Sequence, residues 1–161
     1  MKTMNKFTAG ALLASALVAP AQAAQTTTSF AVTATVLTSC VVVATPLAFA
    51  SITFSGDVDA NNAITVTCTP GTAYDIGLDA GNGSGATVSN RKMTNLLSSD
   101  TLEYTLYQAS DYATIWGDTV GTDTVSGTGG PNIHTVYGRV PGSQNVPAGN
   151  YLDTITVTVT Y

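Results

Sequence analysis

The chain has 161 residues, of which 9% are charged, and a formal net charge of −5 at pH 7. This length corresponds to one ordinary domain. The acidic balance argues against nucleic acid and anionic membrane surfaces as partners, because both carry negative charge.

The first 23 residues have the pattern of a secretory signal peptide. Lys2 and Lys6 give a positive start, a short apolar run covers residues 9–18, and Ala21 and Ala23 place small residues where a signal peptidase reads. The apolar run is shorter than the roughly 20 residues that span a bilayer, and no later segment is long enough either. We therefore expect cleavage after Ala23 and an exported, soluble chain, with a buried N-terminal helix as the alternative.

A threonine-rich lead over residues 24–29 is followed by an alternating segment over residues 30–36. Alternation with a period of two predicts a β-strand with one apolar face. The apolar face consists of Phe30, Val32, Ala34 and Val36. The opposite face consists of Ala31, Thr33, Thr35 and Leu37, and it therefore carries two hydroxyl groups. Burying a hydroxyl without a partner costs about 1–3 kcal/mol, so we expect the apolar face to be the buried one.

Cys40 and Cys68 are the two cysteines of the chain. An even pair in a small exported domain predicts a disulfide. On the chain-entropy account, closing a loop of this length stabilises the fold by about 3.5 kcal/mol. A metal site is the alternative, but it would need further ligands, and the chain has one histidine.

Between these cysteines and the C-terminus, short β-rich runs alternate with turn clusters. We predict β-rich runs at residues 41–43, 47–54, 64–68, 74–78, 102–107 and 135–140, and turns at 55–62, 70–71, 81–85 and 127–131. No segment keeps a helical period over three turns. Short strands separated by glycine, asparagine and proline turns predict an all-β sandwich.

The chain ends in strict alternation from Ile155 to Tyr161. Three threonines point one way, and the apolar row of Ile155, Val157, Val159 and Tyr161 points the other. This pattern predicts a strand that has one face on a core and that runs to the end of the chain. We predict that this strand and the strand at residues 30–36 lie side by side, but on different molecules.

The sequence carries little catalytic or metal-binding chemistry. His134 has no sequence neighbours that would orient it, and no cysteine is spare to act as a nucleophile, so no triad can be assembled. Residues 57–61 begin like a calcium loop, but Asn62 replaces the required glycine and Cys68 occupies the twelfth position. We therefore predict no enzymatic activity, no cofactor and no metal site.

Several segments resemble, in the same order along the chain, the spore coat protein U domain family, which includes subunits of archaic chaperone–usher pili. These segments are Phe30–Val36 leading to Cys40, Thr45–Phe49, Asn90–Met93, Leu102–Gln108, Trp116–Gly117, and the run from Val136–Pro141 to Asn145–Tyr151. The resemblance covers essentially the whole chain after the signal peptide.

The resemblance implies an incomplete immunoglobulin-like β-sandwich that is completed by donor-strand exchange. It divides the chain into a signal peptide (1–23), an N-terminal donor-strand extension (24–37) and a pilin β-sandwich domain (38–161). The donor row is Phe30, Val32, Ala34 and Val36. The acceptor groove of the next copy includes Ile155, Val157, Val159 and Tyr161.

The implied function is that of a structural pilin of a fimbrium, which forms surface fibres for adhesion and biofilm formation. The implied partners are identical or related pilin subunits in a homopolymer, a periplasmic chaperone and an outer-membrane usher, and no nucleic acid is expected. Two alternatives stay open. One is a monomeric secreted carbohydrate-binding or coat protein that uses residues 30–36 as its own edge strand. The other is a hydrolytic enzyme, for which the residue inventory is poor.

Overall fold

The computed structural model describes residues 22–53 and 55–161. This part of the chain contains no helix, and therefore none that is long and apolar enough to cross a membrane. The predicted signal peptide falls almost wholly on residues 1–21, which lie outside the described residues. The chain divides into two units, residues 1–34 and residues 35–161.

The second unit consists of two antiparallel sheets, which confirms the all-β prediction. In the described residues the strands are β1 (Cys40–Ala44), β2 (Val58–Cys68), β3 (Ala73–Leu78), β4 (Arg91–Asn95), β5 (Thr101–Tyr107), β6 (Val125–Thr128), β7 (Asn132–Val140), β8 (Tyr151–Leu152) and β9 (Val157–Thr160). The larger sheet has the strand order β1-β2-β7-β5-β4-β8, and the smaller sheet has the order β6-β3-β9.

The core lies between the inner faces of the two sheets. It contains Ile64, Val66, Cys68, Tyr74, Ile76, Leu78, Leu102, Tyr104, Leu106, Trp116, Val136 and Val140, all of them buried. Trp116 is the largest fully buried side chain, and its indole Nε1 donates a hydrogen bond to the Ile76 carbonyl at 2.8 Å. The indole N–H is therefore satisfied inside the core, as a buried tryptophan requires.

One prediction from the sequence is confirmed in β2, and another is wrong. The predicted alternation of Ile64, Val66 and Cys68 is confirmed, because all three are buried. The turn predicted at residues 55–62 is wrong over its second half, because β2 begins at Val58. β2 pairs with β7 from Val58 onward, and this long ladder overrides the turn preference of the Asp and Asn residues.

The β-rich run predicted at residues 47–54 forms no strand in its described part, residues 47–53. Its half-buried side chains Leu47, Phe49 and Ile52 instead pack on the core. Gly138 makes this possible, since a Cβ there would lie only 2.9 Å from Phe49 Cζ and 3.1 Å from Leu47 Cδ1. The segment therefore covers part of the core through side-chain packing alone.

Arg91 is a charged side chain that is fully buried between the sheets. Its Nε donates to the Asp79 carbonyl at 2.8 Å and its Nη1 to the Val88 carbonyl at 2.7 Å. Its Nη2 donates to the carbonyls of Leu78 (2.9 Å) and Trp116 (2.7 Å). Loss of water around the guanidinium lowers the pKa of Arg91 from its usual value. The side chain thus joins β4 to the end of β3 and to the loop that carries Trp116.

The predicted disulfide between Cys40 and Cys68 is present. The two residues lie directly opposite each other in the ladder between β1 and β2. The bridge therefore fastens the start of the edge strand β1 to the interior of the sheet.

Removing this bridge should lower the free energy of unfolding by about 3.5 kcal/mol, because the reduced unfolded chain regains loop entropy. Urea midpoints of the wild-type protein and of the Cys40→Ala/Cys68→Ala variant measure the difference. Intact mass after alkylation, with and without prior reduction, tests the bridge itself. Two free thiols in the unreduced wild-type protein would contradict it.

Candidate functional site

The outer edge of β9 has no partner strand among the described residues. The backbone of Thr156 accepts from the Asp79 amide, and the register pairs Thr158 with Gly77. In an antiparallel ladder, alternate residues bond to opposite sides. The N–H and C=O groups of Val157 and Val159 therefore point away from β3, toward the unoccupied side. An edge of this kind is a template for a further strand.

The facing edge of the larger sheet is also incompletely covered. Val42 lies opposite Val66 in the ladder, so both side chains are on the core side of the sheet. Val66 is 0% exposed, whereas Val42 is 36% exposed. β1 and β9 lie near each other, but they do not pair. The sandwich is therefore open between these two strands.

A cavity of about 360 Å³ lies in this opening. Its lining is mainly apolar and comes from both sheets and from the segment after β1. The lining residues include Ala44, Pro46, Leu47, Phe49, Ile64, Leu78, Met93, Leu106, Val136, Ile155 and Val157. We call this cavity, with the outer edge of β9, the groove. It provides apolar contacts and free backbone hydrogen-bonding groups, which are the two things an added strand uses.

One part of the groove is polar. Asp153 lines it, and the Asp153 Oδ2 accepts a hydrogen bond from the Tyr104 hydroxyl at 2.7 Å. Burial of the hydroxyl, together with its bond to Asp153, raises the pKa of Tyr104 far above its usual value, so the phenol stays protonated. Asn62 also lines the groove. Its amide nitrogen donates to the Thr45 carbonyl, and its Oδ1 is buried without a partner in the described structure.

The four predicted acceptor residues do not all occupy equivalent places. Ile155 and Val157 line the groove, and Val159 is half-buried against the core. Tyr161 lies after the end of β9 and is 59% exposed, so the predicted extension of the strand to the last residue is wrong by one position. Tyr161 instead lines a shallow depression beside Tyr74. The acceptor role of all four residues stays a prediction.

Residues 22–39 form no strand in the described structure. Their side chains are exposed, including Phe30 (86%) and Val32 (83%) together with Ala34 and Val36. The row that the sequence predicts to be buried is thus exposed to solvent in the single chain. Its role as a donor strand stays a prediction.

Sequence reasoning missed most of the groove lining. Tyr104 and Leu106 carried a signal, since they alternate with Glu103 and Thr105 and their inward face could be predicted. Leu47 and Phe49 were assigned to a strand rather than to a covering segment. Asp153 carried no signal of its own, because an acidic residue beside a strand is usually on the surface.

The candidate acid–base and metal residues have structural partners. The His134 Nε2 lies 3.0 Å from the Tyr74 hydroxyl, and the two rings pack edge to face. Asp59, in the calcium-like segment, receives two hydrogen bonds from Arg139 at 2.7 and 2.8 Å. These bonds lower the pKa of the Asp59 carboxyl. Among the described residues, no group of three or more His, Cys, Asp or Glu side chains could hold a metal ion.

Burial lowers the pKa of His134 below its usual value, so protonation favours the unfolded chain. The stability that this neutral histidine contributes should be complete above about pH 6.5 and should decrease as the pH falls below that value. We expect the urea midpoint of the wild-type protein to decrease from pH 7.5 to pH 5. This pH interval lies above the range in which most carboxylates titrate. The His134→Gln variant should show a smaller decrease, and an equal decrease would contradict this assignment.

The comparisons with known proteins agree with this geometry. The sequence model of the Spore Coat Protein U domain matches residues 26–158. The chain is 44% identical over 86 residues to Protein U of Myxococcus xanthus, an alignment that covers 53% of this chain and 48% of that protein. The chain therefore spans about half the length of this relative.

The structure is similar to one chain of a crystal structure of the CsuC–CsuE chaperone–tip adhesion subunit pre-assembly complex from archaic chaperone–usher Csu pili of Acinetobacter baumannii. The TM-score is 0.60 at 23% identity, and the match covers 79% of this chain and 41% of that chain. At this identity the likeness shows a common fold. With the sequence match over residues 26–158, it leads to one conclusion: the chain belongs to the Spore Coat Protein U domain family.

Proposed function

We propose that the protein is a structural subunit of an archaic chaperone–usher fimbria. In this proposal the segment 24–37 of one copy enters the groove of another copy, and repetition of this step forms a homopolymeric surface fibre for adhesion and biofilm formation. The proposal rests on one observation: the same chain contains both an acceptor-like groove and a donor-like strand segment. Among residues 22–53 and 55–161, the chain has a groove with an unpaired strand edge and also an exposed, strand-like row that pairs with no strand.

The residue spacing of the two features agrees. The donor row has four apolar positions at a spacing of two residues, Phe30 to Val36. The inward row beside the groove has three at the same spacing, Ile155, Val157 and Val159. Burying four such side chains contributes on the order of 5–9 kcal/mol before ordering costs. Ladder bonds to the free backbone groups of Val157 and Val159 add to this. A long-lived contact between copies follows.

The open groove also indicates which partners the chain needs before it joins a fibre. An open apolar groove beside a free edge is an aggregation hazard, so an exported chain of this kind needs temporary cover. We propose that a periplasmic chaperone supplies that cover. At an outer-membrane usher, the donor segment of another copy then replaces the chaperone. The similar structure from Acinetobacter baumannii is a complex with a chaperone, which supports this order.

A variant that lacks residues 24–37 tests the proposed function. Because the sandwich does not include these residues in its ladders, the truncated chain should still fold in the presence of its chaperone. It should accept a donor strand but donate none, so it should end fibres instead of extending them. Addition of the truncated chain to wild-type assembly should shorten fibres in electron micrographs. If the truncated chain is unfolded even with the chaperone, a monomer that uses this segment internally becomes the better explanation.

A further inference from the structure

The inward-facing row on the C-terminal segment does not end at Ile155. Burial alternates without a break from Tyr151 to Val159, and Asp153 is half-buried on the same face as Ile155. The Asp153 Oδ2 accepts from the Tyr104 hydroxyl, and its Oδ1 accepts from the backbone amides of Asn82 and Thr154, each at 2.7 Å. A carboxylate has about four acceptor positions, so one acceptor position remains on Asp153.

The donor row is also followed by a polar residue on its own face. Positions 28 and 38 continue the even-numbered row of Phe30 to Val36, and both are threonines. If the row enters the groove, one of these hydroxyl groups comes next to Asp153. Which one does so depends on the direction of the incoming strand.

Every ladder in the described structure is antiparallel, and an antiparallel donor would continue that pattern at the edge of β9. Aligning the donor row with the three inward residues of the acceptor in this direction places Val36 opposite Ile155 and Val32 opposite Val159. Phe30 then lies beside Tyr161, beyond the end of β9. The next position of the donor, Thr38, then comes beside Asp153, in the connection between β8 of the larger sheet and β9 of the smaller sheet. We propose that the Thr38 hydroxyl of one copy donates a hydrogen bond to the Asp153 carboxylate of the next copy, and that this bond sets the register of the donor strand.

The physical reason is the polarity of the two alternatives. A slip of two residues in one direction would place the apolar Val36 against the carboxylate, and a slip in the other direction would place Thr38 among apolar side chains. The alternation alone does not distinguish these registers, since each keeps the same face buried. The inference rests on the proposed function, and it adds the group that selects one register.

The position of Thr38 also has a structural consequence. The backbone on either side of it is fastened to the chain's own domain, because the Thr69 hydroxyl donates to the Leu37 carbonyl at 3.3 Å and the Thr69 amide donates to the Ser39 carbonyl at 2.9 Å. Thr38 is therefore where the donor segment joins its own sandwich. A contact there with Asp153 of the next copy would hold successive domains close together.

The test compares full-length fibres of the wild type with those of Thr38→Val, an isosteric change that leaves the groove untouched. A hydrogen bond to a charged group is strong enough that its loss should raise the rate of fibre dissociation in a fixed concentration of guanidinium about tenfold or more. Thr38→Ser keeps the hydroxyl and should dissociate within about twofold of the wild type. Thr28→Val is the matched control for the other end of the row and should also stay within about twofold.

The possible outcomes distinguish failure of the proposed Thr38–Asp153 contact from failure of the proposed fibre-forming function. Wild-type fibres that dissociate at the same rate as Thr38→Val fibres would overturn the contact and leave the proposed function standing. A loss with Thr28→Val instead of Thr38→Val would also overturn it, since the donor strand would then run in the other direction. Absence of stable fibres from the wild type would overturn both. Equal urea midpoints for chaperone-bound wild type and Thr38→Val would show that the variant acts between copies, and a lower midpoint would contradict that.

Discussion

Replacing Val32 by aspartate should abolish fibre formation without unfolding the chain. Val32 is at the second position of the donor row and is 83% exposed in the single chain, so the substitution disturbs no packing there. In a fibre the same side chain would enter an apolar groove. A carboxylate in that place costs several kcal/mol, and the favourable burial of the valine, about 1.5–3 kcal/mol, is lost as well. Sedimentation and electron microscopy of surface material measure the loss.

Thr33→Asp is the matched control, because it adds the same charge to the neighbouring residue on the opposite face of the strand. This variant should form fibres in near wild-type amount. Both variants should still bind the proposed chaperone, since neither changes the groove. Equal fibre yields from the two variants, or a loss with Thr33→Asp alone, would show that the other face of the strand is buried.

Replacing Arg91 by alanine should have the largest effect on the fold. The side chain is 0% exposed, and its four hydrogen bonds all go to backbone carbonyls. Its removal leaves the buried carbonyls of Leu78 and Trp116 and two part-buried carbonyls without these donors, and it leaves a large cavity. Each unpaired buried group costs about 1–3 kcal/mol, so a total loss of about 4 kcal/mol or more is expected. The urea midpoint of the purified protein, and the amount of folded chain recovered, measure it.

Arg91→Lys and Lys92→Ala are the controls for this prediction. Lysine keeps the charge but has three donors on one nitrogen, so it cannot reach all four carbonyls, and an intermediate loss is expected. Lys92 is the neighbouring cation on the outer face, at 4.0 Å from Glu103 in a partly exposed pair. An exposed pair of this kind contributes little, so Lys92→Ala should be nearly neutral. A loss of less than 1 kcal/mol with Arg91→Ala would contradict the proposed role of Arg91.

The parts of the molecule that could be predicted from the sequence are those in which one strand carries its own signal. The alternation of Ile155, Val157 and Val159 predicted their inward face, and the cysteine pair predicted the bridge between β1 and β2. The groove could not be predicted in the same way. Its lining comes from several strands and from a segment without ladder bonds, and only the tertiary structure brings these together.

Arg91 and Asp153 show why the polar part of the molecule was missed. A charged residue in a sequence is usually on the surface, and only the backbone carbonyls around Arg91 make its burial favourable. Asp153 is held inward by the Tyr104 hydroxyl, a partner 49 positions away in the sequence. The start of β2 at Val58 was missed for a related reason, since its ladder with β7 joins segments about 80 residues apart.

The central claim is that one copy completes the fold of the next, and the most direct test is electrophoresis of purified surface material in SDS before and after heating. A strand buried in a neighbour's sandwich should resist SDS, so unheated wild-type material should form a ladder of multiples of the subunit mass, and heated material should run as the monomer. The variant lacking residues 24–37 should form no ladder under either condition. Wild-type material that runs as a folded monomer without heating would contradict the claim.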